Sequence, residues 1–257
     1  MKLTFLGTGG AFCEADENYQ SNIFIEDGDD NLLVDCGTTF REAFKDIGHK
    51  VEDVKKIFIT HNHADHTGDM EYVGFKTYFT MGFPFGEHKP KLYGFYQTLE
   101  DLWFNNLSAG MRSLQGAVAE LETYFDPVYL DGNDHFTVGD STIDIIQTIH
   151  VVDDRKIVPS HGLMINSNGK KILFTGDCQM APNQMRTFYE QSDVIFHDCE
   201  LMEYPNSVHA QYHELKELPD EIKNKMWLYH YTKSDNMPDP IADGFLGYVE
   251  RGQSFEF

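Results

Sequence analysis

Residues 55–68 read KKIFITHNHADHTG, a β-branched and aromatic run that ends on Thr60 and opens at once into His61-Asn62-His63-Ala64-Asp65-His66. The run is expected to form a short strand. Three histidines and an aspartate within six residues of a strand end are hard to explain by packing. Ligands at i and i+2 on an extended turn, here His61 and His63, can reach one metal ion. Asp65 and His66 then turn toward a second. Imidazole and carboxylate suit zinc, manganese or iron better than they suit hard, oxygen-seeking calcium.

Other short apolar runs end in the same way. His150 closes STIDIIQTI (141–149), Asp177 follows KILFT (171–175), His197 and Asp198 close DVIF (193–196), and His230 closes MWLY (226–229). In layered α/β folds, sites form at the carboxyl ends of strands, so these residues should converge. Further strands are expected at 2–6, 22–25, 31–34, 90–95 and 162–165. Helices are expected near 38–48, 66–79, 96–107, 182–191 and 208–217. Residues 21–36, SNIFIEDGDDNLLVDC, are echoed by 161–178, HGLMINSNGKKILFTGDC. Each is a strand, a turn, a strand and then Asp-Cys, which suggests two similar halves. One α/β domain is expected over 1–257. The stretch 80–127 is expected as a lid or dimerisation insertion, with MGFPFGEHKP and NNLSAGMRSLQG as loops around a helix that carries Trp103 and Phe104.

Composition narrows the partners. The chain has 20 basic residues against 42 acidic ones, a formal charge of −22, so a long nucleic acid is a poor default partner and a small anion a better one. Cys13, Cys36, Cys178 and Cys199 form no Cys-x-x-Cys pair, which leaves no thiolate zinc site and no disulfide framework. The opening MKLTFLGTGG lacks the apolar segment of a signal peptide, and no run is long enough to span a bilayer. A cytoplasmic location and no membrane association are expected.

The motifs LGTGGA (6–11), VDCG (34–37), THNHADHTG (60–68), His150, TGD (175–177), HDCE (197–200), His209 and LYH (228–230) together resemble the metallo-β-lactamase superfamily, and within it the ribonuclease Z-like branch. The resemblance implies an αββα sandwich of two mixed sheets. It also implies two divalent metal ions, zinc or manganese. His61, His63 and His150 would hold the first, Asp65, His66 and His230 the second, and Asp177 both. Asp35 would brace a ligand histidine or the loop. FHDCEL followed by His209 is similar to the branch's acid–histidine pair and implies that Asp198 orients His209, which protonates the leaving oxygen. An Asp stands here where the branch has Glu, and His213, four residues on, competes with His209 for the part.

The expected reaction is phosphodiester hydrolysis by a hydroxide that bridges the two ions, with Asp65 orienting the nucleophile. Within the branch the chain resembles the phage enzymes that destroy the cyclic-nucleotide signals of Pycsar immunity, compact homodimers that open 3′,5′-cyclic mononucleotides. A homodimer acting on a small cyclic nucleotide is therefore expected. A tRNA 3′-end endonuclease stands second, because 80–127 offers no basic arm. A metal-binding scaffold without catalysis stands third.

Overall fold

Successive side chains of a strand face opposite ways, so each apolar strand here can feed two cores at once. The computed structural model describes residues 1–80, 88–203 and 207–257. Its first half supplies β1 (Lys2–Phe5), β2 (Ile23–Asp27), β3 (Asp30–Val34), β4 (Lys56–Phe58) and β5 (Lys91–Phe95). A small hairpin, β6 (Ser113–Leu114) and β7 (Ala117–Val118), precedes β8 (Asp126–Leu130). Then come β9 (His135–Val138), β10 (Ser141–Val152), β11 (Ile157–Ser167), β12 (Lys170–Phe174) and β13 (Val194–Asp198). β14 (Met226–Tyr229), β15 (Gly247–Tyr248) and β16 (Ser254–Glu256) complete the set. All but β6 and β7 build two seven-stranded mixed sheets, ordered β16-β1-β2-β3-β4-β5-β8 and β15-β14-β13-β12-β11-β10-β9.

Between the sheets, Ile23, Ile25, Leu32 and Val34 meet Ile165, Ile172, Phe174 and Phe196 in one buried cluster. The alternate residues Phe24, Leu33 and Ile57 turn outward onto Phe40 and Phe44 of the helix Phe40–Asp46. On the other sheet Leu173, Ile195 and Leu228 turn outward onto Met185 and Leu215 of two further helices. Helix, sheet, sheet, helix is the expected αββα layering. Each fully buried aliphatic side chain contributes about 1.5–3 kcal/mol.

The echo between 21–36 and 161–178 has a structural counterpart. β2–β3 and β11–β12 are antiparallel hairpins, and each passes into a parallel strand, β4 or β13. In the second hairpin Asn168 and Gly169 both adopt positive φ, 49° and 77°, as a tight two-residue turn requires. The cysteines are free, with Cys36, Cys178 and Cys199 buried. No helix among the described residues is long and apolar enough to cross a membrane.

Within 80–127 the loop expected over NNLSAGMRSLQG is only partly a loop. MGFPFGE (81–87) lies outside the described residues, but NNLSAGM is helical, not a loop. A helix from Tyr96 runs through a wider turn at Leu102–Leu107 to Met111. Leu102, Leu107 and Met111 are buried against the first sheet, and that packing overrides the loop-like Asn, Ser and Gly content. The hairpin β6–β7 follows over 113–118, with its first strand and turn in RSLQG. β8 and β9 were not expected at all; Pro127 in the edge strand β8 hid the first of them.

Candidate functional site

Every ligand candidate lies at one end of the sandwich, where β3, β4, β10, β12, β13 and β14 terminate. Among the described residues, three groups have ligand atoms within 4.8 Å of one another: His61, His63 and His150; Asp65, His66, Asp177 and His230; and Asp177, Asp198, His209 and His230.

Hydrogen bonds fix the tautomers of the first group. Asp35 accepts the Thr60 hydroxyl proton at 2.8 Å, so Thr60 Oγ1 is left to accept from His61 Nδ1 at 3.1 Å. His150 Nδ1 donates to the Val208 carbonyl at 2.9 Å. Both rings therefore carry their proton on Nδ1 and aim a bare Nε2 at His63 Nδ1, at 2.9 and 3.1 Å. A proton on His63 could satisfy only one of them. Burial comes first among the causes that lower the pKa of all three rings, so they stay neutral. Three neutral imidazole nitrogens within 4.8 Å of one another form a donor set suited to a zinc-like cation.

The second group is dominated by charge. His66 donates from Nδ1 to Asp35 at 2.7 Å and faces Asp177 and Asp65 with Nε2 at 3.1 and 3.2 Å. His230 Nε2 lies 3.3 Å from Asp177 and 3.5 Å from Asp65. Burial opposes ionisation of both carboxylates, but His66 and His230 hold Asp65 and Asp177 well below the usual carboxylate range. Conversely the carboxylates, Asp177 foremost, raise His66 and His230 against the effect of burial. The pocket thus calls for positive charge, as protons or as metal ions. Asp177 Oδ1 and His230 Nε2, both buried, have no hydrogen-bond partner. Asp177 Oδ2 also lies 3.9 Å from His61 Nε2, so this residue stands between the two groups. The donors present fit divalent metal ions.

Backbone geometry sharpens the placement. Asp35 and His230 adopt left-handed φ of 64° and 66°, a conformation that costs a residue with a Cβ roughly 1–2 kcal/mol. Gly37 in VDCG has no room for a side chain, since a Cβ there would lie 1.9 Å from the Asp65 carbonyl.

Asp198 and His209 meet as expected, with Nδ1 donating to Oδ2 at 2.8 Å. Burial works against the charge on His209, but Asp198 raises its pKa to about 9. Of the two histidines, His209 is the one that reaches Asp198. His209 does not share a helix with His213, because the helix begins at Tyr212; His213 faces outward, 4.0 Å from Glu203. His197, grouped with Asp198 at the strand end, points the other way. It is buried against Tyr189, whose hydroxyl donates to Nε2 at 2.6 Å. Strand alternation sends neighbours to opposite faces. Sequence reasoning missed Thr60, the Val208 carbonyl and Asn22, which donates to the Asp65 carbonyl at 3.2 Å. Backbone acceptors and single polar residues in apolar runs carry no sequence signal.

Beside the first group opens a cavity of about 520 Å³, lined by His61, Asn62, Phe95, Gln147, Lys156 and His161.

A family model described as "Anti-Pycsar protein Apyc1" matches residues 1–255. An anti-Pycsar protein Apyc1 from Paenibacillus sp. (strain J14) is 33% identical over 240 residues, covering 92% of this chain and 91% of that protein. One from Bacillus phage vB_BsuM-Goe3 is 29% identical over 262 residues, covering 98% and 96%. Among solved structures, the metallo-β-lactamase fold protein YhfI from Bacillus subtilis superposes with a TM-score of 0.76 at 19% identity, covering 99% of this chain and 98% of that one. The short form of human tRNase Z gives 0.66 at 18% identity, covering 100% and 99%, so the fold is that of the metallo-β-lactamase proteins.

Proposed function

The chain belongs to the anti-Pycsar protein Apyc1 family, and from that premise we propose that it is a two-metal phosphodiesterase that opens 3′,5′-cyclic mononucleotides to linear nucleotides. The observation that carries this reading is the His209–Asp198 pair beside a buried set of donors that lack protein partners. His61, His63 and His150 would hold one ion, Asp65, His66 and His230 the other, and Asp177 both. Bound there, zinc or manganese supplies Lewis acidity toward phosphoryl oxygens and brings the pKa of water toward neutrality.

The protein's own groups do the rest. Asp35 and Thr60 hold His66 and His61 in the tautomers that present Nε2 to the site. Asp65 orients the attacking water. His209 keeps its Nδ1 proton on Asp198, which leaves Nε2 to give a proton to the departing ribose oxygen. The adjoining cavity is of a size for a mononucleotide. A formal charge of −22, with Lys89, Lys91 and Arg112 as the only Lys or Arg within 80–127, argues against a grip on tRNA. Relatives of this family occur in bacteria and phages, which fits action on nucleotides in the bacterial cytoplasm. The expected homodimer is carried forward as part of this proposal and is tested by sedimentation.

The decisive experiment offers zinc- or manganese-loaded protein a panel of 3′,5′-cyclic mononucleotides and one tRNA precursor. Linear nucleotide from the panel is the expected result. Trimming of the precursor with every cyclic nucleotide left intact would overturn the reading.

A further inference from the structure

Asp198 faces two imidazoles. Its Oδ2 accepts from His209 Nδ1 and from the Cys178 N–H, each at 2.8 Å. Its Oδ1, fully buried, has no hydrogen-bond partner and lies 3.4 Å from Nδ1 of His230. The rings of His209 and His230 are stacked, with centroids 4.7 Å apart and planes 26° apart, so both Nδ1 edges run alongside the same carboxylate. The main chain of Asp198 is pinned on both sides. Its N–H donates to Thr175 Oγ1 at 3.0 Å, and its carbonyl accepts from His197 Nδ1 at 2.7 Å.

Proximity alone would also admit Asp198 as a metal ligand, because it falls in a group with Asp177, His209 and His230. Direction decides against that. His230 turns Nε2 toward Asp65 and Asp177 and Nδ1 toward Asp198. The two nitrogens of an imidazole point apart, so Asp198 stands across the ring from the other donors.

We propose that Asp198 is a shared positioning residue, holding the Nδ1 protons of His209 and His230 at once. It thereby presents Nε2 of His209 to the leaving oxygen and Nε2 of His230 to the second ion. The inference rests on the two-ion reading above. Its consequence is that the proton donor and the second ion's site are tied to one carboxylate and cannot be altered separately through it. Outer partners of this kind set tautomer and ring angle, and their loss weakens metal binding about 10–100-fold.

The test measures zinc affinity by chelator competition on the full chain, with turnover followed separately. Asp198→Asn should weaken the second equivalent of zinc about 10–100-fold, whereas His209→Gln should leave both equivalents in place and lose turnover only. An Asp198→Asn protein that binds both ions as the wild type does, or a His209→Gln protein that loosens the second as much, overturns the proposal. Should Asp198→Asn fail to fold, long-range ¹H–¹⁵N correlations on the zinc-loaded wild type decide instead. Both rings are expected to carry the proton on Nδ1, and a proton on Nε2 of His230 overturns the idea. Wild-type protein that holds fewer than two ions overturns the two-ion reading and this inference with it, so the two failures are told apart.

Discussion

The two ends of the sandwich both gather aspartates, and they treat them in opposite ways. At the end away from the site, Asp27 in the β2–β3 turn accepts from the Asp140 and Ser141 N–H groups, each at 3.0 Å, and from the Ser141 hydroxyl at 2.8 Å. Asp30 accepts from the Gly139 N–H at 3.1 Å and from Lys56. These carboxylates tie the turn of one sheet to the β9–β10 turn of the other, and protein groups satisfy them. At the site end, Asp177 Oδ1 and His230 Nε2 are buried without partners, and two Nε2 lone pairs converge on one nitrogen. Acidic density therefore marks nothing by itself. A buried donor left unsatisfied is costly, and it points to a ligand.

The comparison would break at Asp177 first. Asp177→Ala is expected to cut kcat by at least on the order of 10³-fold and to release metal, because one residue serves both groups. Wild-type metal content by mass spectrometry would show that the unpartnered oxygen is not a ligand. Next in size is His209→Ala, which should slow turnover about 10²–10⁴-fold while retaining both ions, as expected of a proton donor outside the coordination shell. Full activity after that change would remove the dyad from the mechanism. Removing metal from the wild type by dialysis against chelator should lower Tm, and zinc restored at about 100 times its Kd should return roughly 2.7 kcal/mol of stability. Indifference of Tm to zinc would argue that protons alone balance the buried carboxylates.

Much of this contrast was legible in the sequence, for reasons that particular residues display. Short β-branched and aromatic runs gave the strands, and the polar residue closing each run gave the candidate site, because strand ends deliver His61, His150, Asp177 and His230 to one place. Loops were the limit. Whether His209 or His213 turns inward depends on the pairing of Glu200 with Gln211 and on the Ala210 N–H donating to the Cys178 carbonyl at 2.7 Å, contacts without a periodic signature. The same holds for the Val208 carbonyl that sets the tautomer of His150. His197 shows the converse error: strand-end position was read correctly, but not the face. The helix expected near 96–107 runs on to Met111, and that last turn was hidden because its buried residues are interleaved with Asn, Ser and Gly.

The smallest effect tests the satisfied end. Asp27→Asn should leave metal content and turnover unchanged and cost about 1–3 kcal/mol, since charge-assisted hydrogen bonds to two backbone N–H groups and a hydroxyl weaken. At roughly 2–4 °C per kcal/mol for a chain of this size, differential scanning calorimetry resolves the loss. The pH dependence gives it a signature. Burial alone would raise the pKa of Asp27, but the Ser141 hydroxyl, the N-terminal ammonium and the two N–H groups hold it below the ordinary value of 3.8. A carboxylate whose folded pKa is depressed stabilises the protein above its unfolded pKa, and that contribution disappears as pH falls through the lower, folded value. The gap in Tm between wild type and Asp27→Asn should therefore be full at pH 6 and narrow only below about pH 4. A gap that stayed constant into that acidic range would mean that shape, not the charge on Asp27, holds the two turns together.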